Sequence, residues 1–143
     1  MKRIAIHALL STLSAFSVAL AFCVPQPTTV MAQGQNAQVI ELVAKKYEYS
    51  PSPVHVKAGS TVQLKITAVD HDHGFKLGAE PDGAKPGGKA GLVFVSPQDY
   101  WQLKRGETTT IEFVAQTSGT YTFKCCHTCG LGHGGMKSEI VVD

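Results

Sequence analysis

From Val39 onward, apolar residues recur at every second position in short runs bounded by Gly, Pro, Ser and Asp. Period two is the signature of half-buried strands, because successive side chains of a strand point to opposite faces. The clearest run is Thr61 to Thr67, where Val62, Leu64 and Ile66 alternate with polar neighbours. The same pattern predicts strands over 39–45, 54–57, 108–114, 120–124 and 138–142, with a short one over 92–95. Ser50-Pro51-Ser52-Pro53 excludes a helix between the first two, and turns are expected at Ala58-Gly59-Ser60 and Gln116 to Gly119. Residues 70–75 read as a loop carrying His71 and His73, and Gly78 to Gly91 as a mobile surface excursion rich in Gly, Pro, Lys and Asp. Ser96-Pro97-Gln98-Asp99 has the order of an N-cap, a first-turn proline and an early acid, which predicts one helical turn carrying Tyr100 and Trp101. Seven or so strands with no internal repeat and no heptad pattern predict an all-β, Greek-key two-sheet β-sandwich whose loops gather at either end.

The first thirty-two residues follow a different pattern. Lys2 and Arg3 precede an apolar run from about Ile4 to Val24, and Val30-Met31-Ala32 suits a signal peptidase, so residues 1–32 are expected to be a signal peptide cleaved after Ala32. Phe22 is too bulky for a lipoprotein reading that would use Cys23, and an uncleaved anchor is the remaining alternative. The expectation is a periplasmic or otherwise exported protein with one domain over residues 33–143. Removing Lys2 and Arg3 from the 13 basic residues leaves 11 against 11 acidic ones, so the remaining 111 residues carry no net charge. Charge therefore gives no argument for nucleic acid or anionic lipid as a partner.

Export makes the cysteines informative, since thiols in an oxidising compartment tend to be paired or metal-bound. Cys125, Cys126 and Cys129 lie within five residues, too close together to staple distant strands. They open a stretch of twelve positions, Cys125 to Met136, with the spacing CxxxCxxxHxxM and no carboxylate. Thiolate, imidazole and thioether together suit copper, whereas carboxylate-rich sets suit calcium, magnesium or manganese. Gly130, Gly132, Gly134 and Gly135 let several donors of one loop turn toward one point. The loop joins the last two predicted strands, and the loop carrying His71 and His73 is the candidate for a further ligand from the same pole. With one histidine from that loop, Cys125, Cys129, His133 and Met136 make five side-chain donors, one more than a tetrahedral zinc uses.

CxxxCxxxHxxM, together with His73-Gly74-Phe75 upstream, resembles the cupredoxin family, and within it the binuclear copper A domain of cytochrome oxidase subunit II and nitrous oxide reductase. The resemblance covers about Ala44 to Asp143. It implies two copper ions bridged by Cys125 and Cys129, with His73 and His133 as terminal imidazoles, Met136 as one weak axial ligand and the main-chain carbonyl of His127 as the other. The implied function is one-electron transfer with a redox partner such as a c-type cytochrome or a terminal oxidase or reductase.

Cys126 is an additional thiol beside a bridging position, and His73 and Cys125 stand 52 positions apart, a long span that the 78–91 excursion absorbs. Neither the oxidase subunit's transmembrane hairpin nor a catalytic domain is present, so a stand-alone domain is expected. Alternation places Cys126 opposite Cys125 and points His71 away from the ligands, toward solvent or a supporting hydrogen bond. His55 is expected on an exposed strand face, and Tyr100 and Trp101 in packing or partner docking. The rival readings are a mononuclear blue-copper carrier on His73, Cys129, His133 and Met136, a periplasmic Cu(I)-handling protein that uses Cys126 and His71, and a thiol oxidoreductase on Cys125 and Cys129. The last lacks both CxxC spacing and a βαβ pattern. No nucleophile with an ordered base, paired carboxylates or phosphate loop is visible, so the chain is not expected to be an enzyme by itself.

Overall fold

The computed structural model describes residues 37–85 and 87–143; the expected signal peptide and its cleavage site lie outside them. Two five-stranded sheets pack face to face. The first is built from β1 (Gln38–Lys45), β2 (Glu48–Ser50), β4 (Thr61–Ala68), β6 (Leu92–Phe94) and β8 (Thr108–Ala115), in the order β2-β1-β4-β8-β6. The second is built from β3 (Val54–Val56), β5 (His73–Leu77), β7 (Tyr100–Leu103), β9 (Gly119–Lys124) and β10 (Lys137–Val142), in the order β3-β10-β9-β5-β7. Among the described residues the architecture is the predicted β-sandwich.

Alternation sets which face is buried. On β4, Val62, Leu64, Ile66 and Ala68 are fully buried while the residues between them are partly exposed. β4 lies parallel to β1 (Leu64 opposite Ile40) and antiparallel to β8 (Leu64 opposite Ile111). Facing it, Phe75, Leu77, Tyr121, Phe123 and Ile140 line the second sheet. Phe75 and Phe123 stack at 4.8 Å between centroids, and Tyr49 meets both edge-on at 5.8 and 5.1 Å. Such pairs add roughly 0.5–1.5 kcal/mol each beyond their buried area, so this aromatic group is a rigid floor for the end of the sandwich where His73 and Cys125 lie.

Four local expectations change. Glu48 to Ser50 pairs back on β1 as β2, a three-residue edge strand too short to leave a periodic signal. The 70–75 loop ends early, and His73 already pairs with Leu103 as the first residue of β5. The helical turn after Ser96 gives way to strand β7, where Trp101 pairs with Phe75 and packs on Phe94, so sheet pairing overrides a local capping signal. Residues 78–91 are tied to β9, not free: the Asp82 carboxylate accepts from the Thr122 N–H at 3.2 Å and its hydroxyl at 2.6 Å. No helix among the described residues is long and apolar enough to cross a membrane.

Candidate metal centre

The loop between β9 and β10 is closed at its root, where the Cys125 N–H donates to the Met136 carbonyl at 2.9 Å. This fixes the first and last donors of the motif relative to each other. Cys125 and Cys129 are buried, with Sγ atoms 3.7 Å apart. Cys126 is exposed, so the two adjacent thiols face opposite ways. Cys125, Cys129 and His133 each present a ligand atom within 4.8 Å of the others. His133 sits in a single 3₁₀ turn, His133–Gly135, and the fully buried Met136 follows it. The His127 carbonyl lies 3.3 Å from Cys125 Sγ.

The upstream donor arrives on β5. His73 is fully buried, and its Nε2–H donates to Asp70 Oδ1 at 2.8 Å. That bond places the proton on Nε2 and leaves Nδ1 as a lone pair. Both His73 Nδ1 and His133 Nδ1 are buried without a hydrogen-bond partner. Leaving a buried polar atom unpaired costs about 1–3 kcal/mol, and two such atoms beside two close thiols are what a metal centre needs. Next to His73, Gly74 runs so close to the loop that a Cβ there would lie 2.8 Å from the His127 nitrogen. Its N–H points at Cys125 Sγ, 3.5 Å away, so the backbone of β5 supports the thiol directly.

Electrostatics mark the same place. Burial, then hydrogen bonding and repulsion from Cys125, pushes the Cys129 thiol up to about 11. Burial likewise raises Cys126, with Cys125 adding to it. Burial lowers His73, opposed by its bond to Asp70. Burial alone would raise Asp70, but the hydrogen bonds from His73, from the Lys46 N–H and from His71 hold it well below the usual carboxylate range. Tyr49 is raised by burial and by the neighbouring thiols, and its hydroxyl donates to the Gly74 carbonyl at 2.5 Å. The charged form of the Cys129 thiol is therefore disfavoured until a cation compensates it.

Asp70, Tyr49 and Tyr47 escaped the sequence reading. Asp70, three residues before His73, was the one with a legible signal. Tyr47 covers the loop from outside, and a Cβ on Gly132 would lie 2.5 Å from its ring. His71 makes the supporting hydrogen bonds expected of it, but the bend at Asp70 turns it toward the candidate ligands and not away from them. Its ring meets His73 edge-on at 4.1 Å, and its Nε2 lies 3.1 Å from the Cys129 carbonyl. His55, as expected, is on an exposed face.

A β-sandwich with a His-Cys-Met loop at one pole defines a class, and this chain belongs to it: the family described as cupredoxin-like domain matches residues 12–142. More narrowly, it is 31% identical over 113 residues to a cytochrome c oxidase subunit 2 of Thermus thermophilus, covering 79% of this chain and 71% of that protein. A second Thermus thermophilus subunit of the same name matches at the same identity, and there the chain spans 57% of the relative's length. The periplasmic domain of cytochrome oxidase subunit II from Bradyrhizobium japonicum shares the fold with TM-score 0.56 at 17% identity, over 74% of this chain and 83% of that one. Reduced auracyanin from Roseiflexus castenholzii does so with TM-score 0.54 at 21% identity, over 75% and 98%. A copper A type site fits the donors present.

Proposed function

We propose that this protein is an exported electron carrier holding a binuclear copper A centre. Cys125 and Cys129 would hold the two ions through their thiolates, His73 and His133 would each supply an imidazole nitrogen, and the Met136 thioether and the His127 carbonyl would complete the donor set more weakly. One observation carries this reading: two buried, unpartnered imidazole nitrogens, one from β5 and one from the β9–β10 loop, stand at the same pole of the sandwich as two thiols 3.7 Å apart. A mononuclear blue-copper site would leave Cys125 unused, and a tetrahedral zinc would leave one donor over.

When bound, a thiolate-bridged copper pair spreads one unpaired electron over both ions, so little geometry need change on reduction. The chain's own contribution is rigidity. Asp70 holds the His73 ring, the Gly74 N–H supports Cys125, and the Cys125–Met136 hydrogen bond closes the loop. Leu131 at the loop tip is fully exposed, and Tyr47 and Val69 are also exposed at this pole. This apolar rim suits transient docking of a redox protein such as a c-type cytochrome or a terminal oxidase or reductase. The chain is assigned no catalysis of its own. The basic, apolar leader through Val24 supports export to the periplasm, and membrane association follows only if that segment is retained.

The test is copper per chain together with the paramagnetic resonance spectrum of the oxidised protein. Two coppers with hyperfine splitting from both nuclei are expected; one copper with a mononuclear spectrum overturns the binuclear reading. Copper handling is the second reading, favoured by the exposed Cys126 thiol and the partly exposed His71, and Cu(I) that cannot be reversibly oxidised would select it.

A further inference from the structure

His71 belongs to none of the positions assigned above, yet it is built into the site. One ring nitrogen of His71, one of His73 and the Sγ of Cys129 lie within 4.8 Å of one another. This trio shares only Cys129 with the trio of Cys125, Cys129 and His133. The Asp70 carboxylate organises both imidazoles, since Oδ1 lies 2.8 Å from His73 Nε2 and 3.0 Å from His71 Nδ1. A carboxylate oxygen only accepts, so both of those nitrogens carry the proton. In the neutral imidazoles that a metal takes, the opposite nitrogens, His73 Nδ1 and His71 Nε2, then carry the lone pairs.

The second ring nitrogen of His71 is directed at the residue that supplies the trio's sulfur, for its Nε2 lies 3.1 Å from the Cys129 carbonyl oxygen. The His71 side chain is 27% exposed while that of His73 is fully buried, so the trio reaches from solvent to the interior.

The geometry points to a one-copper site formed by His71, His73 and Cys129, which overlaps the binuclear centre and holds a single Cu(I) ion when the second is absent. Two imidazoles and one thiolate are a trigonal donor set that suits copper. On binding, Cys129 releases its thiol proton to solvent and the ion keeps its oxidation state. Because His73 and Cys129 serve both arrangements, the one-ion and two-ion sites exclude each other. This rests on the copper reading above and adds His71 to it.

The test is anaerobic competition for Cu(I) against a chromophoric chelator, on the full reduced chain carrying Cys125→Ser. That variant removes the bridging pair but leaves the His71 trio whole. It is expected to bind one Cu(I). Adding His71→Ala should weaken binding by at least about tenfold, the lower end of what even supporting residues of metal ligands contribute, and adding His133→Ala should not. His71→Gln, which still donates to Asp70 but gives no imidazole, should behave as His71→Ala does if the protein stays folded by circular dichroism. Unchanged affinity on losing the His71 imidazole, or dependence on His133 instead, overturns the proposal. The copper count of the chain with Cys125 intact tests the binuclear reading separately, and there His71→Ala should still reach two.

Discussion

Asp70 Oδ1 lies 2.8 Å from His73 Nε2 in a site where the His73 ring is wholly buried. The carboxylate thereby sets which nitrogen of the ring is free. Residues that hold metal-bound histidines in this way contribute about 10- to 100-fold in affinity. Asp70→Ala is expected to weaken copper binding by that order, measured by chelator competition. Unaltered affinity would show that packing alone holds the ring.

Gly74 tests how tightly strand and loop are apposed. A methyl group there must displace the loop backbone at His127 by several tenths of an ångström or more, because the nearest atom would be at 2.8 Å. Gly74→Ala is expected to cost ~1–3 kcal/mol, as overpacking does. Denaturant unfolding of the metal-free protein measures it, and a change below a few tenths of a kcal/mol would mean the loop moves freely.

The raised Cys129 thiol predicts an alkaline weakness of the metal-free protein. Its proton is held up to about pH 11 in the folded chain against 9.0 ordinarily. Between those values the unfolded chain has lost the proton and the folded one keeps it, so stability present below pH 9 is lost as pH rises toward 11. Anaerobic unfolding at pH 8, 9 and 10 should show the decline, and Cys129→Ser should flatten it. A curve equally steep in that variant would place the effect elsewhere.

Leu131 is fully exposed at the tip of the metal loop. Leu131→Asp should leave copper content and spectrum unchanged while slowing electron exchange with a c-type cytochrome by about tenfold, ~1.4 kcal/mol in the encounter complex. Stopped-flow mixing reads this directly. An unaffected rate would move the docking face away from the loop tip.

The sandwich was legible because strand alternation is a local property, and Val62, Leu64 and Ile66 display it without help from the rest of the chain. The cluster of thiol, imidazole and thioether side chains in the loop was legible for the same reason, being close together and chemically distinctive. Trp101 was not, because its strand exists through pairing with Phe75, and the capping pattern before it is the stronger local signal. His71 misled in another way: alternation through residues 71–73 assumes an extended chain, whereas Asp70 draws both histidines toward one carboxylate. Asp82 anchors the long 78–91 excursion through contacts with Thr122, forty positions away, which no local pattern reports.

The second sheet joins an early strand of the described chain to its last one. β10 lies beside β3, and Ser138 Oγ meets Ser52 Oγ at 2.6 Å across 86 positions of sequence. β10 also pairs with β9 directly across the twelve-residue loop, Lys137 opposite Lys124, so that local hairpin by itself gathers Cys125, Cys129, His133 and Met136. His73 arrives separately on β5, whose Lys76 lies opposite Lys124 of β9. A chain with the hairpin formed but β5 undocked would therefore hold the loop donors without the His73 imidazole.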